Sequence, residues 1–422
     1  MSAVSTPGHA AQRPGFAEFV GIIAFMMGLG ALSVDNVLPA FPQIQADFAV
    51  ADPNRLQLLF SVYMMGFGAA QIIYGPLSDV WGRRPVLMSG LLIYTAGTAL
   101  ALITDSFTGL LIARAVQGIG CASARVLSIA IVRDRFAGRE MARIMSIAVM
   151  VFMAVPVIAP ATGEFLLLFG SWHLIFVSML GLVLLLASWF MLRMPETLHP
   201  EYRMPFSAAN ILRGLKLTVT NRISFGYATV MTLMFGCLMS YVGSSQQILQ
   251  TEVYALGSWF PIAFGFAAAM MGFGAFLNSR LVVRVGLRRM AHTGLLIFVI
   301  ATSSQCVAAF IYDGKPPLAL FLGLLAISQL AFPLTVPNCN AMAMEPLGSV
   351  AGTASSFMGF YNTLGSALIA LLVGGAFDGT VLPLGIGFLV LALLALGVVL
   401  WVERGKLFQT HGPNYREPQP GA

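Results

Sequence analysis

Four ionisable side chains, Asp35, Arg114, Arg125 and Glu164, sit inside apolar stretches in the first half of this 422-residue chain. A charge in that setting is costly and is kept where it serves a function. A carboxyl group beside an arginine stays ionised, whereas one buried away from any cation takes up a proton. An acid that moves between two such surroundings binds and releases a proton in turn, and Asp35 is placed to do so. Arg114, Gln117, Cys121 and Arg125 are spaced by three, four and four, so on a helix they share one face. That stripe lines a polar cavity most simply. Asp35 and Arg114 reach compatible depths, so a pair between them is geometrically allowed. Arg125 lies deeper; it either meets an electronegative group of a bound molecule or bonds to backbone carbonyls. Glu164 is either a second proton carrier or a residue of the outer surface.

The second half holds no ionisable residue away from its helix ends, so proton chemistry is expected in the first half. Tyr63, Tyr241, Gln329, Tyr361 and Asn362 fall at mid-depth and, with Gln117 and Arg125, are the candidates to contact a substrate. The alternative for each is packing or a lipid-facing position. Apolar pockets with few polar groups suit small amphipathic molecules, and 23 methionines and 31 phenylalanines suit adaptable binding. Other chemistries lack their residues. There is no HExxH, no His/Asp cluster and no phosphate-binding loop, and His173 stands alone. Cys121, Cys237, Cys306 and Cys339 lie far apart in apolar runs and read as packing residues. Neither an enzyme, a metal site, a cofactor nor direct ATP drive is expected.

The elements that hold these residues follow from composition. The chain is 58% hydrophobic and 9% charged, against about 25% charged in soluble domains, and its mean hydropathy is +0.84. Twelve apolar runs centre near residues 27, 65, 95, 120, 153, 182, 233, 268, 301, 328, 363 and 391. Each is long enough for a membrane-crossing helix, which needs about 20 residues. The runs are continuous rather than alternating, which argues for an all-α membrane protein over a β-barrel. The first run follows a polar leader and precedes "DNVLPAFP" rather than a small-residue cleavage site, so it reads as a retained helix.

With the N-terminus cytoplasmic, nineteen of the 23 basic residues fall in inner loops and tails. Of the other four, Arg55 and Lys315 lie in outer loops, and Arg114 and Arg125 within a span. This is the bias of the positive-inside rule. It accounts for the net charge of +6 without a nucleic-acid partner. The expected organisation is a tail over 1–15, six helices over 16–192, a linker over 193–221, six helices over 222–402 and a tail over 403–422. Both tails and the linker are cytoplasmic in this reading. Residues 207–219 read as a short interfacial helix or a flexible tether.

The halves repeat. "MGFGAAQIIYGPLSDVWGRRPVL" begins at Met65 and "MGFGAFLNSRLVVRVGLRRM" at Met271, each joining the second helix of its half to the third. Parallel repeats of this kind place a binding site at their interface near mid-membrane.

The stretch "GPLSDVWGRRP", Gly75 to Pro85, resembles the signature loop of the major facilitator superfamily, and lies where that family has it. "DNVLPAFP" from Asp35, "RAVQG" from Arg114, "VPVIAPATG" from Val155, "RDRF", "PETL" and "EPLGSVAGTAS" from Glu345 resemble its drug:proton antiporter branch, in particular the Bcr/CflA group. The resemblance covers nearly the whole chain apart from the tails. It implies twelve helices in two pseudo-symmetric six-helix bundles. It also implies proton-coupled efflux of small amphipathic drugs, such as phenicol- or bicyclomycin-like antibiotics, by alternating access. The alternative is an exporter or proton symporter of an endogenous metabolite. Protons and a small molecule would be the partners, the proton gradient the energy source, and a monomer in the bacterial inner membrane the working form.

The buried charges Asp35, Arg114 and Glu164 are the proton-coupling candidates, and the resemblance adds two further groups. Gly75, Asp79, Gly82, Arg83, Arg84 and Asp134 form a conformational latch between the halves. Pro156, Pro160 and Gly163 belong to the antiporter-motif helix, which packs the halves together. Two departures stand out: Ala159 replaces the glycine usual before the second proline, and Glu164 replaces a second glycine.

Overall fold

A computed structural model describes residues 14–136, 138–199, 201 and 208–409. In chain order its helices are α1 (Phe16–Asp35), α2 (Phe41–Asp47), α3 (Gln57–Trp81), α4 (Arg83–Ile103), α5 (Phe107–Arg135), α6 (Gly138–Leu167) and α7 (His173–Arg193). Then come α8 (Ala208–Thr220), α9 (Arg222–Ser245), α10 (Phe260–Val285), α11 (Leu287–Ile311), α12 (Leu318–Met344), α13 (Ala351–Gly375) and α14 (Leu382–Val402). Every expected span centre falls inside one of the twelve long helices. Eleven of these are long and apolar enough to cross a membrane, and α6, with 30 residues, completes the set. Large apolar side chains such as Leu92, Leu185, Ile300 and Leu394 point outward around the perimeter, as a bilayer-spanning protein requires. The chain is a multi-pass membrane protein.

Local sequence sets the helix ends. Ser106 Oγ accepts from Gly109 N at 3.0 Å and starts α5. Asn221 Oδ1 accepts from Ile223 N and Ser224 N, both at 3.0 Å, and starts α9. Gly82 separates α3 from α4 with φ 99° and ψ 161°; Gly286 separates α10 from α11 with φ 91° and ψ 152°. Both lie where a side chain would be strained, so each hairpin needs its glycine.

Because the helices alternate in direction, the start of α1, the end of α7, the start of α9 and the end of α14 share one face. It carries most of the arginines and is called the basic face below. The linker helix is real: α8 lies on this face and packs against α9 and α13.

The repeat extends to whole bundles. Helix α1 starts at Phe16 and α9 at Arg222, so the twentieth residue of each is Asp35 and Tyr241 respectively. The halves touch along two seams, α3 against α13 and α6 against α10. The repeat exchanges these two seams, which places a pseudo-two-fold axis between them.

Candidate functional site

Asp35 closes α1 and is 5% exposed. Among the described residues its carboxyl has neither a hydrogen bond nor an ion pair. Across the boundary between the halves stands Tyr241, buried and stacked on Phe264 at 5.7 Å between ring centroids. Asp35 is close enough to act electrostatically on the Tyr241 hydroxyl, which has no hydrogen-bond partner. Beside Asp35, Asn36 holds α6: Thr162 Oγ1 donates to Asn36 Oδ1 at 3.1 Å. A Cβ on Gly163 would strike the Asn36 carbonyl, so this position needs glycine for close approach. Glu164 follows directly, half-buried, with Oε2 buried and unpartnered. Glu164 thus lies near the helix end with one carboxyl oxygen withdrawn from solvent.

The Asp35–Arg114 pair that the sequence allows is not formed among the described residues. Arg114 is 1% exposed and turned toward α3. Its Nε donates to the Leu59 carbonyl at 3.2 Å, Nη1 donates to Gln117 Oε1, and its guanidinium lies 4.4 Å from the Tyr63 ring centroid. A carbonyl, an amide and an aromatic face thus replace the carboxylate. Gln117 in turn donates to Thr98 Oγ1 at 2.9 Å. Tyr63 and Gln117, two of the substrate candidates, thus hold Arg114. Cys121 faces Gly30 on the same stripe. Arg125, half-buried further along α5, has a partner of its own.

The remaining substrate candidates separate by depth. Tyr361 stacks on Phe357 at 5.9 Å and shares a 3.3 Å hydrogen bond with Thr229, toward the basic face. Asn362, next to it on α13, has a buried Oδ1 without a partner. Gln329 is buried on α12. Tyr241 lies near the opposite face. These residues thus lie at different depths of the C-terminal half.

The α3–α13 seam is polar where it nears the face opposite the basic one. Asn54 Nδ2 donates to the Phe377 carbonyl at 2.9 Å, Gln247 Nε2 donates to Asn54 Oδ1 at 2.9 Å, and Gln57 Nε2 donates to Gln247 Oε1. Gln247 lies in a short π-helical turn, Gln246–Thr251, that continues α9. Further along, Gln71 Nε2 donates to Thr363 Oγ1 at 3.0 Å. Gly75 packs on Ser356 close enough that an added Cβ would meet its Oγ at 3.0 Å. Sequence reading missed these amides because they carry no charge and their partners lie far away in sequence.

On the basic face, Arg83 is 3% exposed. It donates to Asp79 Oδ1 at 2.6 Å, Ser78 Oγ at 2.7 Å and Asp134 Oδ2 at 2.8 Å. Glu196, from the "PETL" stretch, accepts from Arg83 N at 2.9 Å and Arg84 N at 3.0 Å, an anion at the N-terminus of α4. Arg84 also donates to the Met191 carbonyl at 2.8 Å. Of the expected latch residues, Asp79, Arg83, Arg84 and Asp134 thus come together within one half, while Gly75 meets Ser356 across the seam. Asp79 forms no hydrogen bond to the C-terminal half among the described residues. The C-terminal half has a counterpart the sequence reading missed: Arg288 donates to Glu403, Tyr227 donates to the same carboxylate, and Glu345 lies 3.9 Å from Arg288. The signal was the second Arg-Arg in the repeat, followed by an acid just after the last span, as Glu196 follows α7. In the antiporter-motif helix Pro160 is buried, while the side chain of Pro156 lies outside the described residues.

Comparison with known proteins agrees with this architecture. The Major Facilitator Superfamily model matches residues 22–370. A bicyclomycin resistance protein homolog of Haemophilus influenzae is 31% identical over 85% of this chain and 91% of its own length. The multidrug resistance protein MdtL of Klebsiella pneumoniae is 26% identical over 87% of this chain and 91% of its own. Among solved structures, the partially occluded inward-open xylose transporter XylE of Escherichia coli superposes with a TM-score of 0.70 at 13% identity, covering 91% of this chain and 97% of that one. Two six-helix repeats joined across paired seams, a glycine-hinged Arg-Arg loop and a sequence match over most of the length lead to one assignment: this chain belongs to the major facilitator superfamily and is a membrane transporter, not an enzyme.

Proposed function

We propose that the chain exports small amphipathic drugs, of the phenicol and bicyclomycin kind, in exchange for protons by alternating access. The observation that carries this is the buried Asp35 carboxyl, which has no hydrogen bond or ion pair among the described residues and lies near enough to the unpartnered Tyr241 hydroxyl to act on it electrostatically. A carboxyl with no fixed counter-ion is free to change its protonation as the halves move. Glu164, one residue from the Gly163–Asn36 contact, serves as a second carrier on the same side. The resistance names of the relatives support the drug class. In this reading the basic face is cytoplasmic, so both termini are cytoplasmic and the membrane is the bacterial inner membrane. A single chain supplies both halves and works as a monomer.

Drug entering from the cytoplasm contacts Tyr361, Asn362, Gln329 and Tyr241. The exchange needs the amide contacts among Asn54, Gln57 and Gln247 to break so that Asp35 meets external protons. Proteoliposomes holding a pH-sensitive dye test the proposal. Under an imposed gradient, amphipathic antibiotics are expected to drive proton movement. No flux with any of a broad panel, in folded protein, would remove the antiport reading.

The seam gives its own test. Gln247→Leu deletes both its hydrogen bonds, each worth about 1 kcal/mol, and so favours the outward-open state by roughly tenfold or more. Nitroxide labels at Asp105 and Lys315, both exposed beyond the seam, are expected to show a larger population at long separation. An unchanged distance distribution would mean the amides do not hold this face shut.

A further inference from the structure

We propose that the α10–α11 hairpin, with the segment that follows α14, is a binding site for the headgroups of anionic phospholipids. Helix α10 has 26 residues and is about 39 Å long at 1.5 Å per residue. A hydrocarbon layer of about 30 Å leaves it roughly two turns in the interfacial region. On the basic face that excess carries Arg280 and Arg284, one turn apart and both exposed. Arg289 is exposed just past the Gly286 turn. Among the described residues none of the three pairs with a carboxylate, whereas Arg83 in the equivalent hairpin is buried between two.

Exposed Leu281, Val283, Val285 and Leu287 alternate with these arginines, and Val283 is 87% exposed. Apolar side chains at that exposure are unfavourable in water and suit the boundary between headgroup and acyl chain. The fold adds two more cations from a distant part of the sequence. Arg289 Nε donates to the Phe408 carbonyl at 3.3 Å, and Phe408 N donates to His292 Nδ1 at 3.1 Å. These bonds hold the segment bearing Arg404 and Lys406, both exposed, against the hairpin. Of the acids nearby, Glu403 is buried on Arg288 and Tyr227, and Glu345, its side chain 73% exposed, lies 3.9 Å from Arg288. The result is five exposed cations beside an apolar tip. Orientation of the chain in the membrane needs positive charge in this loop, but it needs neither the interleaved apolar side chains nor the docking of residues 404–408. An anionic headgroup above an acyl chain matches both features at once.

The test uses purified full-length protein, delipidated and titrated with phosphatidylglycerol or phosphatidylcholine, with bound lipid counted by native mass spectrometry. Phosphatidylglycerol is expected to bind more tightly, and to bind roughly tenfold or more weakly to Arg280→Gln/Arg284→Gln. Equal binding of the two lipids, or equal binding of phosphatidylglycerol to a folded variant, would overturn the proposal. A second measurement avoids altering the arginines. A bimane label on Val283→Cys, in bilayers containing brominated lipid, is expected to be quenched more by phosphatidylglycerol than by phosphatidylcholine. A label shielded by a co-purifying protein, without lipid quenching, would assign the patch to a protein partner and refute the lipid site.

Discussion

Asp35→Asn is expected to reduce uphill drug export to the level seen without a proton gradient, while the melting temperature holds or rises. The two halves of this expectation come from the same geometry. The amide matches the carboxyl in shape but cannot exchange a proton, so coupling is lost outright. Asp35 has no hydrogen bond or ion pair to lose among the described residues, and removing an uncompensated buried acid relieves a desolvation cost. Loss of activity with retained or increased stability is the pattern of a residue kept for function. Export assays in inverted vesicles and a thermal melt of the same preparation read both. Undiminished uphill export would remove Asp35 from the mechanism and leave Glu164 as the coupling acid. Loss of export together with a collapsed melting temperature would instead mark Asp35 as a structural residue whose partner forms in another state.

How much of this was legible in the sequence depends on the range of the interaction. The twelve spans were, because a run of about 20 apolar residues is a local property. The parallel repeat was too, since "MGFGA" recurs at equivalent places, and the same spacing relates Asp35 to Tyr241. The Arg114 stripe was legible as a helix face, but its partners were not. The charge suggested Asp35 as counter-ion, and the fold supplied a carbonyl from Leu59, an amide and the Tyr63 ring instead. Those groups have no charge signature, and their proximity depends on how α5 packs on α3. Glu196 capping α4 and Glu403 holding Arg288 span more than 100 residues each, so no local pattern announces them. The amide seam was silent for a related reason: Asn54, Gln57 and Gln247 acquire meaning only when α3, α9 and α13 converge.

The basic-face cluster yields a ranked prediction. Arg83→Ala is expected to be the most damaging of three substitutions, Asp134→Asn intermediate and Asp79→Asn the mildest for stability. The order follows burial. Arg83 is 3% exposed, whereas the side chains of Asp134 and Asp79 are 12% and 44% exposed. Removing Arg83 strands Asp134 and frees Asp79, and breaking a buried pair in this way costs about 3–5 kcal/mol. Neutralising Asp79 loosens a pair whose carboxyl side is 44% exposed and screened by solvent, at a cost of about 1 kcal/mol. Melting temperatures in detergent give the ranking, and equal losses for Asp79→Asn and Arg83→Ala would contradict it. Transport gives an independent axis. If Asp79→Asn melts like the native protein yet slows export severely, its work is done in a state in which it reaches the C-terminal half. The Arg83 contact would then be where Asp79 rests between engagements. If Asp79→Asn leaves both melting and export unchanged, the cluster is an anchor of the N-terminal bundle. The barrier on the basic face then belongs to the Gly75–Ser356 contact and its neighbours on the α3–α13 seam.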